Sequence, residues 1–280
     1  MSTITFTQQL NETTTLMRVK SPDAATRAKA GQFAIIQPDA YGERIPLTIA
    51  DTDKESGEVT VIFQRVGRTT DILSKMSAGD TLAAFAAPLG KPTDFGDSNR
   101  VLIIGGGVGT AIAYPSAKSC RQSGKSVDGI IGFRSRDLVI LEQQFRGNTD
   151  NLQIMTDDGS YGERGFVTDK ARQLLSDNSY DLCVAIGPIP MMKAVCLVTK
   201  KFGVKTLVSL NPIMIDGTGM CGCCRVSVGG ETKFACVDGP DFDGALVDFD
   251  ELSLRNKAYL DRERCDKDNC RLYNQAGNQV

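Results

Sequence analysis

At 280 residues, with 34 acidic side chains against 32 basic ones, the chain is long for one core and has no positive excess to favour nucleic acid or an anionic membrane. Two domains plus an appendage, and a small-molecule or protein partner, are therefore expected. The absence of histidine excludes Ser-His-Asp and Cys-His nucleophile activation, His-ligated zinc, Rieske centres and His-ligated haem.

The N-terminus, MSTITFTQQLNETTT, lacks a basic segment followed by an apolar one, and no window approaches the ~18 consecutive apolar residues of a membrane span. A cytoplasmic protein is expected. From there to residue 98 the pattern predicts short strands, TITFTQQL, TTTLMRV, GQFAIIQP, RIPLTIAD, GEVTVIFQRV and DTLAAFAAP, broken at Gly31, Pro38, Gly42, Gly57 and Gly79. Closely spaced strands without helical periodicity predict a small antiparallel barrel. One helix is expected within it, over Arg68 to Met76, with Thr69 or Thr70 as cap.

Two motifs in this half carry chemistry. Arg44-Ile-Pro46-Leu47-Thr48 offers a guanidinium for a phosphate, a proline that fixes the chain and a hydroxyl for a flavin ring edge. Gly67-Arg68-Thr69-Thr70 opens the helix with a glycine turn, a natural seat for a pyrophosphate. Each motif alone also reads as an ordinary strand charge or turn.

After a turn-rich stretch from Pro88 to Asn99 the pattern changes to strand and helix in alternation: RVLIIGGG, a helix over Ala111 to Ser123, VDGIIGFR, LVILEQQF, LQIMTDD, a helix near Thr168 to Leu175, DLCVAIGP and a helix over Pro190 to Phe202. Such alternation predicts a parallel sheet wrapped by helices. Gly105-Gly106-Gly107-Val108-Gly109-Thr110, between a strand and a helix, suits a dinucleotide phosphate. It has Thr110 where the third glycine of G-x-G-x-x-G would stand, and the next strand ends GFRSR with no acid to clamp a ribose. A glycine-rich packing turn is the other reading. Thr156-Asp157-Asp158-Gly159-Ser160-Tyr161-Gly162 and Gly187-Pro188-Ile189-Pro190-Met191 also follow strands, so all three loops are expected to converge beyond the carboxyl ends of the sheet.

From about Asn211 the chain becomes rich in glycine and cysteine, and Leu246 to Arg264 reads as an exposed charged helix. Of nine cysteines, four lie between Cys221 and Cys236, a distribution that reads as metal ligation with buried thiols elsewhere rather than a disulfide framework. The run Asp216-Gly-Thr-Gly-Met-Cys221-Gly-Cys-Cys224 followed by Cys236 has the Cys-x4-Cys-x2-Cys spacing of plant-type ferredoxins, with aspartate in the first place. VSVGGETKFAC reads as a hairpin returning Cys236 to the loop. Asp216, Cys221, Cys224 and Cys236 are thus candidate ligands of a 2Fe-2S cluster, and structural zinc is the alternative, which would make the chain a nucleotide-sensing scaffold. Cys223 falls outside the spacing.

Together these residues resemble the ferredoxin–NADP reductase superfamily, in the branch that holds the electron-transfer subunit of dihydroorotate dehydrogenase and the small subunit of NADH-dependent ferredoxin:NADP oxidoreductase. The resemblance implies an FAD-binding β-barrel domain over 1–98, an NAD(P)-binding α/β domain over 99–211, an iron–sulfur loop over 212–245, and a C-terminal helix and tail over 246–280. It implies FAD contacts from Arg44, Pro46, Leu47, Thr48, Gly67, Thr69 and Thr70. It implies pyridine-nucleotide contacts from Gly106, Gly107, Val108, Gly109, Thr110, Asp157, Asp158, Gly159, Gly187, Pro188 and Met191. The nucleotide is NAD(H), with NADP(H) as the other candidate, and the resemblance extends to electron bifurcation. No acid–base side chain is needed for hydride exchange with a flavin, so no catalytic residue is named. Aspartate at 216, where the dihydroorotate subunit has cysteine, points to the ferredoxin:NADP branch and so to a larger flavoprotein or iron–sulfur partner subunit. Cys265 and Cys270 lie beyond the resemblance.

Overall fold

The computed structural model describes residues 2–258. Cys265, Cys270 and the distal end of the helix expected to reach Arg264 lie outside the described residues.

Seven strands form the first sheet: β1 (Ser2–Gln9), β2 (Thr14–Lys20), β3 (Phe33–Gln37), β4 (Ile45–Asp53), β5 (Glu58–Gln64), β6 (Thr81–Leu82) and β7 (Ala84–Leu89). They run in the order β6-β1-β2-β5-β4-β3-β7, every neighbour antiparallel, as a nearly closed barrel. Alternate residues point inward, so Ile4, Met17, Val19, Ala34, Ile36, Val61 and Phe63 fill the interior, with Leu73 from α2 (Arg68–Lys75) plugging one end. A second short helix, α1 (Pro22–Arg27), is a departure from the single helix expected here. It has proline and Asp23 in its first turn but only Ala24 and Ala25 to bury, and six residues are too few for an apolar period to register.

The second sheet holds β8 (Arg100–Gly106), β9 (Ser126–Phe133), β10 (Asn151–Thr156), β11 (Glu163–Arg164), β12 (Leu182–Ile186), β13 (Lys205–Ser209) and, after the hairpin β14 (Arg225–Val228) and β15 (Glu231–Phe234), the edge strand β16 (Asp241–Asp243). Their order is β11-β10-β9-β8-β12-β13-β16, parallel except that β16 pairs antiparallel with β13. Both faces are covered. Val101 and Ile103 face one core with Ala113 and Ala117, and Leu102 and Ile104 face the other with Val195. The helices are α3 (Gly109–Gln122), α4 (Glu142–Arg146), α5 (Val167–Asp177), α6 (Ile189–Lys201), α7 (Ala235–Asp238) and α8 (Phe249–Lys257). LVILEQQF contains no strand. It begins in the 3-10 turn Arg136–Leu138 and ends in α4.

The core end of the sheet opposite the glycine loops is held by a buried polar network. Asp128 accepts hydrogen bonds from Arg100 (2.9 Å), Tyr180 (2.7 Å) and Asn151 (2.8 Å), and the Arg100 guanidinium lies 4.8 Å from the Tyr180 ring centroid. Burial works against the charge, but these three donors win and hold the carboxyl below its usual 3.8, while burial pushes the Tyr180 hydroxyl up. A depressed native value means that the unfolded chain takes the proton first. The contribution is therefore complete above 3.8 and lost as pH falls through the lower native value. Asp128→Asn is expected to cost about 2 kcal/mol at neutral pH in urea unfolding, a difference that shrinks in acid.

Candidate redox site

Arg44 immediately precedes β4, on which Pro46 and Thr48 share one face and Ile45 and Leu47 the other, since strand side chains alternate. Ile45 and Leu47 pack on the barrel core, so Leu47, one of the expected flavin contacts, faces inward and offers only its backbone. Pro46 stands opposite Ile35 and Thr48 opposite Phe33 in the β3–β4 register. The Nε atoms of Arg44 and Arg68 are out of solvent and without a hydrogen-bond partner. Two orphaned Nε donors, one of them on the first residue of α2, suit an anion such as a diphosphate. Arg68 is absent from the sequence-based set, although its place in the helix-opening turn is the signal that marks it.

Gly67, not a threonine, is the N-cap of α2. The Thr70 hydroxyl accepts from the backbone N–H of Val66 and Gly67 (3.0 Å each) and donates to the Gly67 carbonyl, which commits it to the turn. Thr69 Oγ1 reaches Glu43 Oε2 only at 3.5 Å.

Across the sheet the six parallel strands stand fourth, third, second, first, fifth and sixth in chain order, so the order reverses between β8 and β12. Ligands of open α/β sheets bind at this crevice. The first and third glycine loops meet there. A β-carbon at Gly109 would lie 2.5 Å from the Ile186 carbonyl oxygen and 2.7 Å from the Gly187 α-carbon, and one at Gly106 would lie 2.3 Å from the Met191 sulfur. Thr110, in the third-glycine place, is fully buried with its hydroxyl unpaired. The TDDGSYG loop stands beyond β10 and is tied to the end of β9 by the Asp157 N–H on the Phe133 carbonyl (3.0 Å). Asp158 turns inward on its own loop, where the Ser160 hydroxyl and N–H hold it below the usual carboxylate value. Tyr161, which lies in that loop but is not among the expected contacts, donates to Glu142 (2.9 Å) under the Arg136 guanidinium.

The cluster loop approaches from the other side. A β-carbon at Gly217 would touch Ile35 and Leu89, both at 2.8 Å, and Ile35 is the register partner of Pro46. The loop thus rests on the strand next to the proposed flavin edge. The hairpin forms as expected because Gly229 and Gly230 both take positive φ (63° and 79°), as a tight two-residue turn requires. It returns Cys236 to Cys224: their sulfurs are 3.1 Å apart and both side chains are buried. Burial pushes the Cys236 thiol up to about 12, a cost that a cation would reverse. Asp216 and Cys221 do not join that pair. The Asp216 carboxylate accepts from the N–H of Thr218 (2.9 Å) and Cys221 (2.8 Å), and the Cys221 thiol is exposed and held below its usual value by the Cys223 N–H. Among the described residues no three Cys, Asp or Glu side chains converge as a preformed metal site. The donor types and the glycine-rich loop fit an Asp/Cys3 set once those two side chains turn inward. All seven described cysteines are free.

Residues 211–248 match the iron–sulfur cluster binding domain of dihydroorotate dehydrogenase B. A Clostridium beijerinckii chain, described as an uncharacterized protein in the adh 3' region, is 47% identical over 88% of this chain and 86% of its own. A Thermotoga maritima chain, named as a homolog of the dihydroorotate dehydrogenase B (NAD(+)) electron transfer subunit, is 46% identical over 88% of this chain and 87% of its own. The chain belongs to the dihydroorotate dehydrogenase B electron-transfer subunit family. This family member also superposes on a chain of the NADH-dependent reduced ferredoxin–NADP oxidoreductase, a structure solved for insight into flavin-based electron bifurcation. The TM-score is 0.91 at 41% identity, covering 96% of this chain and 97% of that one. It is an electron-transfer subunit of an oxidoreductase of the flavin and iron–sulfur type. The zinc reading has no support in these likenesses. Among the described residues no helix is long and apolar enough to cross a membrane.

Proposed function

We propose that this chain takes a hydride from NADH onto FAD and sends the electrons singly through a 2Fe-2S cluster to a larger flavoprotein subunit, within a cytoplasmic, electron-bifurcating ferredoxin:NADP oxidoreductase. The observation that carries this reading is the end-to-end likeness, at 41% identity, to a chain of the NADH-dependent enzyme. FAD supplies the exchange between two-electron and one-electron chemistry. The protein's residues position it. Arg44 and Arg68 hold the diphosphate, Pro46 and Thr48 present the β4 edge to the ring, and the Gly67 turn receives the phosphates along the axis of α2. Gly106 through Thr110, with Gly187, Pro188 and Met191, form the floor for the nicotinamide nucleotide, and Asp157 to Gly159 border it. Asp216, Cys221, Cys224 and Cys236 ligate the cluster. In this reading the barrel, the nucleotide domain, the cluster loop and the C-terminal segment divide near residues 98, 211 and 245.

Coupling to dihydroorotate oxidation is the second reading, favoured by the family match over 211–248 and by the name of the Thermotoga relative. Purifying the native complex anaerobically and identifying the associated chain separates the two. NADH oxidation that requires ferredoxin and NADP+ supports the first, and NAD+ reduction by dihydroorotate overturns it. Arg44→Ala is expected to weaken FAD binding about 10- to 100-fold, the worth of one charge-assisted hydrogen bond, read as flavin retained on dilution.

A further inference from the structure

The structure assigns Asp241 as a positioning residue that clamps the cluster arm to the flavin-bearing barrel and so sets the gap an electron crosses between the two cofactors. The inference rests on the proposed function for its two redox centres and concerns a residue that none of the motifs includes. Asp241 follows Cys236 by five residues and begins β16. Its carboxyl reaches out of the cluster arm: Oδ2 accepts the Thr93 hydroxyl at 2.5 Å, and Oδ1 is left without a hydrogen-bond partner. Although the residue as a whole is half-buried, its Oδ1 is out of solvent, and burial raises the carboxyl toward its neutral form.

Three segments meet at this carboxyl. The linker carries Thr93, whose N–H bonds the Ala30 carbonyl of the barrel (2.8 Å). Gly31 lies so close that a β-carbon there would stand 2.9 Å from Asp241 Oδ2 and 2.3 Å from Thr93 Oγ1. On the cluster arm, the Gly239 carbonyl accepts Lys91 N–H (2.7 Å) and the Pro240 carbonyl accepts Leu210 N–H (2.9 Å). From Gly31 the chain passes through Gln32, whose side chain bonds the Gly90 carbonyl (2.8 Å), into Phe33, the partner of Thr48. A cluster ligand and the flavin strand are thereby joined by a short, hydrogen-bonded path through one carboxyl.

The test uses the complete, cofactor-loaded complex mixed anaerobically with NADH. Flavin absorbance is followed in stopped flow, and the reduced-cluster paramagnetic signal is read by freeze-quench. Asp241→Ala and Thr93→Val are expected to slow cluster reduction about tenfold or more while leaving NADH-to-flavin reduction and iron content unchanged, and Asp241→Asn, which keeps the side chain's shape and a carbonyl oxygen to accept the Thr93 hydroxyl, restores the rate. Hydrogen exchange at the Lys91, Thr93 and Leu210 amides reads the clamp independently of electron flow, and protection is expected to fall in Asp241→Ala and to persist in Asp241→Asn. A wild-type cluster rate or unchanged protection in Asp241→Ala overturns the assignment, as does loss of iron in that variant, which would make the residue a fold element only. A wild-type complex in which NADH never reduces a cluster removes the proposed function and the inference with it, and the exchange data then show whether the clamp itself exists.

Discussion

Cys224→Ser is expected to leave the protein without its iron–sulfur cluster, with flavin content near wild type. Cys224 and Cys236 are the two candidate ligands already side by side, buried, with sulfurs 3.1 Å apart. A serine there replaces a soft thiolate with a hydroxyl that stays protonated at neutral pH, and cluster iron selects for thiolate. Loss of one ligand from such a set is expected to weaken retention by at least about 100-fold, read as iron and acid-labile sulfide per chain and as loss of the reduced-state paramagnetic signal. Cys223→Ser is the internal control. Its thiol lies one position outside the ferredoxin-like spacing, so cluster content should hold. The reverse pattern, with Cys223 essential and Cys224 dispensable, would shift the ligand set by one residue and dismantle the spacing argument.

The second large effect is expected at Gly109. A side chain there would press into the Ile186 carbonyl oxygen and the Gly187 α-carbon, both backbone atoms that cannot rotate aside, and the β8 and β12 loops would have to part. Because those loops are the proposed nucleotide floor, Gly109→Val is expected to slow NADH-driven flavin reduction by about 10²-fold or more. Dithionite should still reduce both centres. Gly107→Ala offers the contrast, since its β-carbon meets open space and only the positive φ of 56° is strained. About 1–2 kcal/mol of stability is the expected cost there, with a much smaller effect on the rate. If both variants lose the NADH reaction equally, crowding between the two loops is not what the glycines prevent.

Much of this architecture is legible from residue order because the signals are local. Alternation in the barrel strands, the switch to strand and helix after Asn99, and the Gly229-Gly230 hairpin each follow from short-range geometry. Among the elements that escape, β13 is a five-residue strand set between β12 and β16, and β16, three residues long, acquires its identity by pairing with β13 across the cluster loop. Asp241-Phe242-Asp243 is too short for its polar–apolar alternation to announce a strand. The same divide runs through the candidate site. Glycine loops betray themselves by composition, whereas the orphaned Arg68 donor, the inward turn of Leu47 and the Tyr161–Glu142 contact depend on which face a side chain takes after folding. The hydroxyls of Thr69 and Thr70 look like ligand contacts in the sequence, but that of Thr70 is committed to shaping a turn.

β16 has one more effect. Without it, β13 would end the parallel sheet as a bare edge, its amides and carbonyls open to any passing strand. The three residues that close this edge come from the same arm as Cys236. A variant in which that arm loosens would offer a sticky border to its own copies, so that its precipitation would signal an opened sheet edge rather than global unfolding.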